Sequence, residues 1–237
     1  SCGCGPRDQA QVGCCSEMGT LPSPAGEGAV SLGCGDVLAF AEIQEGEVVL
    51  DLGCGMGLEV IDAARRVGPT GKVIGLDMTP EMIDRARRNA ERAGVQGMTE
   101  FRLGEMEEMP VPDESVDWII SNCVINLSTD KERVFREAYR VLKPGGRMLI
   151  SDLVSSGLPD EMRRDLASWA QCVGGTVEES EYLALIEGAG FQEVAVLERV
   201  EATSMLLGAG CCSSSAGGTA GGRVDSIRVQ ARKPRGG

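Results

Sequence analysis

Histidine is absent from this sequence. That removes the side chain most often used as a general base near neutral pH, and the commonest nitrogen ligand for metals. Aromatic residues make up only 3% of the 237 positions, so a core must be built largely from aliphatic side chains. Basic residues are outnumbered, with 23 Lys and Arg against 36 Asp and Glu, a formal charge of −13. This excess of negative charge argues against a nucleic-acid surface or an anionic membrane as partner. No apolar run approaches the roughly 18–20 residues of a membrane-spanning helix. The first residues, "SCGCGPRDQAQVGCC", hold no apolar signal-peptide core, so a cytoplasmic location is expected.

Sulfur, by contrast, is plentiful. Ten cysteines stand at positions 2, 4, 14, 15, 34, 54, 123, 172, 211 and 212. In a reducing compartment they are not expected to form a passive disulfide framework. Thiolates are then the abundant soft donors of the chain. The remaining composition, 42% hydrophobic and 25% charged, is that of an ordinary soluble globular protein.

Apolar runs alternate with helical periodicity through the first two thirds of the chain. Strands are expected at "GEVVLDLG" (46–53), "GKVIGLDM" (71–78), "MTEFRLG" (98–104), "VDWIISN" (116–122) and "RMLISDLV" (147–154). Helices are expected over 58–68, from Pro80 to Gly94 with Thr79 as N-cap, and over 130–146, closed by Pro-Gly-Gly. Strands alternating with helices imply an α/β fold with a doubly wound, mostly parallel sheet. After about residue 155 the pattern changes to helices near 160–171 and 179–188, then two apolar segments at 191–200 and 224–233 that read as an antiparallel pair. The expected organisation is an irregular Cys-rich segment (1–35), a Rossmann-like domain (36–154) and a C-terminal α+β extension (155–237).

"DLGCGMG" (51–57) lies directly between strand and helix. Its glycines let a ligand approach the main chain closely. The spacing is G-x-G-x-G, and Leu58 stands where the dinucleotide fingerprint wants a third Gly or Ala. Asp51, two residues before Gly53, suits an ammonium better than a pyrophosphate. Asp77, at the end of the next strand, suits a pair of ribose hydroxyls. This combination resembles the class I S-adenosylmethionine methyltransferases, whose ligand carries an amino acid and no phosphate. The resemblance implies S-adenosyl-L-methionine as cofactor. Asp51, Gly53, Gly55 and Gly57 would hold its methionine part, Asp77 and Met78 its ribose, and Gly104, Glu105 and Met106 the adenine position. Cys54 belongs to the same loop, with its side chain expected to fill space. Asn122 and Cys123 leave the fourth strand on the same carboxyl edge, where ligands of open α/β sheets bind.

"DMTPEMI", "SNCVINLSTDK", "EAYRVLKPGG" and "ISDLV" together resemble the arsenite methyltransferase family. The likeness runs from about Gly33 to "SIRVQARKP", and "SNCVINL" is its most specific piece. The resemblance implies that Cys34, Cys123 and Cys172 hold trivalent arsenic as substrate. It also implies that an N-terminal thiol, Cys15 or its neighbour Cys14, takes part in thiol–disulfide exchange. The chemistry is consistent with this. Trivalent arsenic is a soft, three-coordinate centre with a lone pair, which three thiolates can leave aimed at a methyl sulfonium. No proton need leave the nucleophile during attack, so the missing histidine is no obstacle. Ligation by thiolate calls for a site that favours cysteine ionisation. Each transfer oxidises arsenic formally to the pentavalent state, so thioredoxin or glutathione is expected as reductant. Two other readings remain open on the sequence: a methyltransferase of an organic acceptor, and a thiol protein that binds arsenic or antimony without turnover. Vicinal Cys211-Cys212, with Cys2 and Cys4, could relay arsenic inward or be tail residues.

Overall fold

Strand order, more than any single element, defines the architecture. A computed structural model describes residues 37–159, 172–203 and 222–236. Within them one seven-stranded sheet runs β3-β2-β1-β4-β5-β7-β6. Its strands are β1 (Val48–Leu52), β2 (Lys72–Asp77), β3 (Thr99–Leu103), β4 (Val116–Asn122), β5 (Leu142–Ser156), β6 (Gln192–Glu201) and β7 (Arg223–Arg232). The first five are parallel, and β7 lies antiparallel between β5 and β6. The order reverses between β1 and β4, which opens a crevice at the carboxyl ends of those two strands.

Helices α1 (Leu58–Val67), α2 (Pro80–Ala93), α3 (Lys131–Val141) and α4 (Glu179–Gly188) flank the sheet. Side chains alternate along each central strand, so one sequence feeds two cores. Leu50, Leu52, Ile119 and Ile150 pack with Phe135 of α3 and Tyr182 and Ile186 of α4. Val49, Val73, Trp118, Ile120 and Leu149 pack with Val60 of α1 and Ile83 of α2 on the other side. A sheet covered on both faces needs the near-continuous apolar strands seen here. Four of the few aromatics pair edge to face: Phe135 with Tyr182 at 5.5 Å, and Tyr139 with Phe191 at 5.4 Å.

The doubly wound sheet and the antiparallel C-terminal pair match the sequence-based expectation, with one correction. The helix expected over 130–146 stops at Val141, and Leu142–Ser156 is one extended strand, so Pro144-Gly145-Gly146 lies in strand rather than closing a helix. Pairing of Leu142 with Val116 draws this stretch into the sheet, so long-range pairing overrides the local stop signal. Pro80 does begin α2, but the Thr79 side chain makes no capping bond; its backbone N–H donates to Asp77 Oδ1 instead. The helix expected near 160–171 and the whole segment 1–35 lie outside the described residues.

Candidate active site

The loop after β1 is built for close approach. Gly53 has φ +67°, a left-handed conformation that costs other L-residues roughly 1–2 kcal/mol. A Cβ there would also come within 2.6 Å of Val124 Cγ1, so the loop is packed directly onto the turn after β4. Gly57, φ +79°, starts α1. Cys54 is buried between them, and its Sγ lies so near Gly75 that a Cβ on Gly75 would stand 2.8 Å away. Burial pushes its thiol far up, helped by Asp51 and Asp77. It fills space, as its place in the loop suggested.

Asp51 is 3% exposed, and its Oδ2 has no hydrogen-bond partner among the described residues. Burial holds its carboxyl well above the usual carboxylate range, with Glu59 and Asp77 adding to the effect. A buried acceptor with two acids beside it fits a cationic donor such as an α-ammonium group. Asp77 is also engaged: Gly55 N–H donates to Oδ2 and Thr79 N–H to Oδ1, both at 2.9 Å. It therefore holds the glycine loop to the end of β2, and each oxygen retains acceptor capacity.

Beyond β3 the chain turns back at Gly104, whose N–H donates to Asp77 O at 3.0 Å. A Cβ on Gly104 would meet Pro110 Cδ at 2.8 Å. Glu105 is exposed and its backbone carbonyl accepts from Glu108 N–H at 3.4 Å, whereas Met106 packs against the α3 side of the core. Met78 is 73% exposed at the rim. Asn122 Nδ2 donates to Glu59 Oε1 at 3.1 Å. Glu59, in the first turn of α1, is a site residue that the sequence reading missed. Its only signal was an acid two residues after the last glycine of the loop.

Two of the three cysteines expected to bind arsenic, Cys123 and Cys172, are in contact. The Cys172 thiol donates to the backbone carbonyl of Cys123 at 2.7 Å, across 49 residues of sequence. Both residues have left-handed backbones, φ 56° at Cys123 and 61° at Cys172. They sit with Leu153, Leu158, Val173, Ala202 and Val224 in a small apolar cluster. Cys123 is disulfide-bonded, while Cys172 and Cys54 are free thiols. Cys34, Cys14 and Cys15, with Cys2, Cys4, Cys211 and Cys212, lie outside the described residues.

The surroundings do not favour ionisation, contrary to the sequence-based expectation. Burial pushes the Cys172 thiol up to about 11, and the negative charge of Asp152 adds to the effect. Asp152 is fully buried on β5, and burial raises its own carboxyl to about 6. It accepts from Asn126 Nδ2 at 2.7 Å, Leu153 N–H at 2.9 Å and the Tyr182 hydroxyl at 3.0 Å. Nothing local in "ISDLV" announces this cluster, because its partners come from other parts of the fold.

Comparison with known proteins bears on the family and the fold. Residues 43–190 match the family described as "Methyltransferase domain". A protein of Halobacterium salinarum named arsenite methyltransferase is 44% identical over 206 residues, 86% of this chain and 51% of its own length. The human protein of that name is 39% identical over 168 residues, 67% of this chain and 44% of its own. The crystal structure of an arsenic(III) S-adenosylmethionine methyltransferase from Chlamydomonas reinhardtii superposes with a TM-score of 0.67 at 35% identity, covering 81% of this chain and 65% of that one. The chain thus spans about half the length of the curated relatives it matches. With residues 43–190 matched and this strand order, the chain belongs to the methyltransferase-domain family and carries the class I S-adenosylmethionine methyltransferase fold.

Proposed function

We propose that this chain methylates trivalent arsenic, arsenite first and then methylarsonite, with S-adenosylmethionine as methyl donor. The observation that carries the reading is the meeting of Cys172 with Cys123 at the carboxyl edge of the sheet, one residue beyond β4 and next to the glycine loop. The names of the relatives support the same acceptor.

The donor supplies an electrophilic methyl group on a sulfonium. Asp51 takes its ammonium, the backbone at Gly53, Gly55 and Gly57 lies along its methionine part, and Asp77 accepts from its ribose hydroxyls. Met78, Gly104, Glu105 and Met106 line the far end, and Asn122 is fixed at the crevice floor by Glu59. Cys123 and Cys172, with Cys34 as third ligand, bind arsenic by exchanging its hydroxyls. Each exchange takes the thiol proton away with a hydroxyl as water, so a thiol of raised pKa needs no separate base. The task left to the protein is to align the arsenic lone pair with the methyl carbon, which is catalysis by positioning. Methylarsonite, with one arsenic position already carbon, needs only two thiols.

Arsenic(III) gives up two electrons formally in each transfer, so a thiol reductant must return two before the next. Thioredoxin or glutathione fills that role here, with Cys15 as the exchange thiol. The disulfide at Cys123 must likewise be reduced before that residue can ligate. No helix among the described residues is long and apolar enough to cross a membrane. The test is arsenic speciation after incubation with arsenite, S-adenosylmethionine and a dithiol. Methylated arsenicals are the expected products, and none under several different thiols would refute the reading.

A further inference from the structure

Two segments carry the thiols, and both end on one buried carboxylate. The Cys123 turn is held to β5 by Cys123 N–H donating to Ser151 O at 2.8 Å. The short 3-10 helix Ile125–Leu127 follows, and its Asn126 Nδ2 donates to Asp152 Oδ1 and to Leu153 O, both at 2.7 Å. The Cys172 segment is held to the end of β5 by Ser155 N–H donating to Val177 O at 3.0 Å and by Thr176 Oγ1 beside Ser155 Oγ at 2.7 Å. That segment runs into α4, whose Tyr182 returns to Asp152 Oδ2. Left-handed backbones at two non-glycine residues persist only where their surroundings over-determine them.

Asp152 is an expensive way to make such an anchor. It is 0% exposed, and no basic side chain among the described residues is within ion-pair distance of it. Lys131 of α3 acts on it from further away, with its own Nζ donating to Ser128 O at 3.0 Å. A buried charge without a salt bridge is costly, and an apolar residue would fill a sheet position at less cost. What an apolar residue cannot do is accept from two elements at once.

We infer that Asp152 is a positioning residue for the arsenic site, a single carboxylate that locks the Cys123 turn and the Cys172 segment into mutual register through Asn126 and Tyr182. This rests on the reading of Cys123 and Cys172 as a ligand pair. Asp152 acts through the thiol-bearing segments and touches neither substrate nor cofactor. The amide of an Asp152→Asn chain keeps an acceptor for Asn126 and Leu153 N–H and presents an N–H to the Tyr182 oxygen, so it preserves the lock. Asp152→Ala removes it.

The measurement is thiol proximity, read independently of arsenic. The full chain is reduced, freed of reductant and treated with dibromobimane, which becomes fluorescent when it bridges two neighbouring thiols, and the Cys123–Cys172 bridge is identified by peptide mapping. Wild type, Asp152→Asn and Asp152→Ala should be compared under one protocol. Carried to completion, the reaction should give Asp152→Asn as high a yield of bridge as wild type, while Asp152→Ala should give about 10-fold less, the scale of a lost charge-assisted hydrogen bond. The affinity for S-adenosylmethionine, measured by calorimetry, should stay within about 2-fold throughout, which a general loss of structure would not allow. Uptake of arsenite should follow the same order as bridging. The inference is overturned if wild type gives no bridge, if Asp152→Ala bridges as well as wild type, if Asp152→Asn falls as far as Asp152→Ala, or if cofactor affinity falls in step. Should Asp152→Ala fail to fold, Asn126→Ala and Tyr182→Phe each cut one arm, and unchanged bridging in both would overturn it. If wild type bridges but takes up no arsenite, the arsenic reading fails and the anchor stands.

Discussion

The Cys172 thiol donates to the carbonyl oxygen of Cys123 at 2.7 Å, with both residues in left-handed backbone conformations. The contact joins the end of β4 to a segment that enters α4, and it places a free thiol beside a residue already engaged in a disulfide. Once that disulfide is reduced, the proposed substrate would find two soft ligands here.

Replacing Cys123 or Cys172 by serine should therefore lower turnover of both arsenite and methylarsonite by about 100-fold or more, the scale of misplacing a reacting centre. Cys34→Ser should lose arsenite and spare methylarsonite, which needs one ligand fewer. Product analysis with each substrate reads the difference. Equal loss of both substrates in Cys34→Ser would defeat the two-thiol argument.

Asp51→Asn should weaken S-adenosylmethionine binding by about 10- to 100-fold, as expected for a charge-assisted bond worth ~1.5–3 kcal/mol. Because burial raises the Asp51 carboxyl, protonation on acidification removes its attraction for a cation. Cofactor affinity of the wild type should fall as pH falls, and that dependence should flatten in Asp51→Asn. Titration calorimetry across pH checks both.

Gly53→Ala should impair cofactor binding and folding together, since it adds a Cβ at φ +67° and only 2.6 Å from Val124 Cγ1. Adding Val124→Ala should relieve the collision and leave the backbone cost of ~1–2 kcal/mol. Thermal melts of the single and double variants separate the two contributions. Full recovery in the double variant would show that the left-handed backbone costs nothing.

Cys172 should be slow to alkylate at neutral pH, because burial and Asp152 push its thiol up to about 11. Its rate with iodoacetamide should climb about 10-fold per pH unit between pH 7 and 10, following the thiolate fraction. In Asp152→Asn the curve should move to lower pH. Mass spectrometry of the Cys172 peptide gives the rates, and a flat profile would exclude the raised pKa.

Stability should also report Asp152. Burial raises its carboxyl to about 6 in the folded chain, above the range of an exposed aspartate. A folded pKa above the unfolded one means that the native state holds the extra proton, so this contribution is fully present below about pH 4 and lost as pH rises through about 6. Asp152→Asn should consequently be more stable than wild type at pH 8 by on the order of 3 kcal/mol, with the gap closing towards pH 4. Denaturant melts at the two pH values test the sign. A stabilised variant that keeps its thiol register would mark the buried charge as a cost carried at the site.

Much of this was written locally. The G-x-G-x-G loop, the acid before it, and the acid ending β2 are decided within a few residues, and the structure keeps them at one crevice. Thr79-Pro80 starts α2 for the same reason, since proline's fixed φ acts where it stands. The stop at "KPGG" was equally local and misled, because Leu142–Ser156 gains a partner strand on each side.

Local chemistry alone specified the alternation of strands and helices, the cofactor loop and the choice of sulfur over histidine. Whether Cys123 and Cys172 meet, which carboxylate anchors them, and how readily Cys172 ionises were decided by tertiary packing. Hydrogen bonds between residues 26 to 49 positions apart, and the removal of water from Asp152, have no counterpart in an unfolded chain. Burial sets the protonation of these groups, and burial exists only once β5, α4 and the turn after β4 have closed on one another.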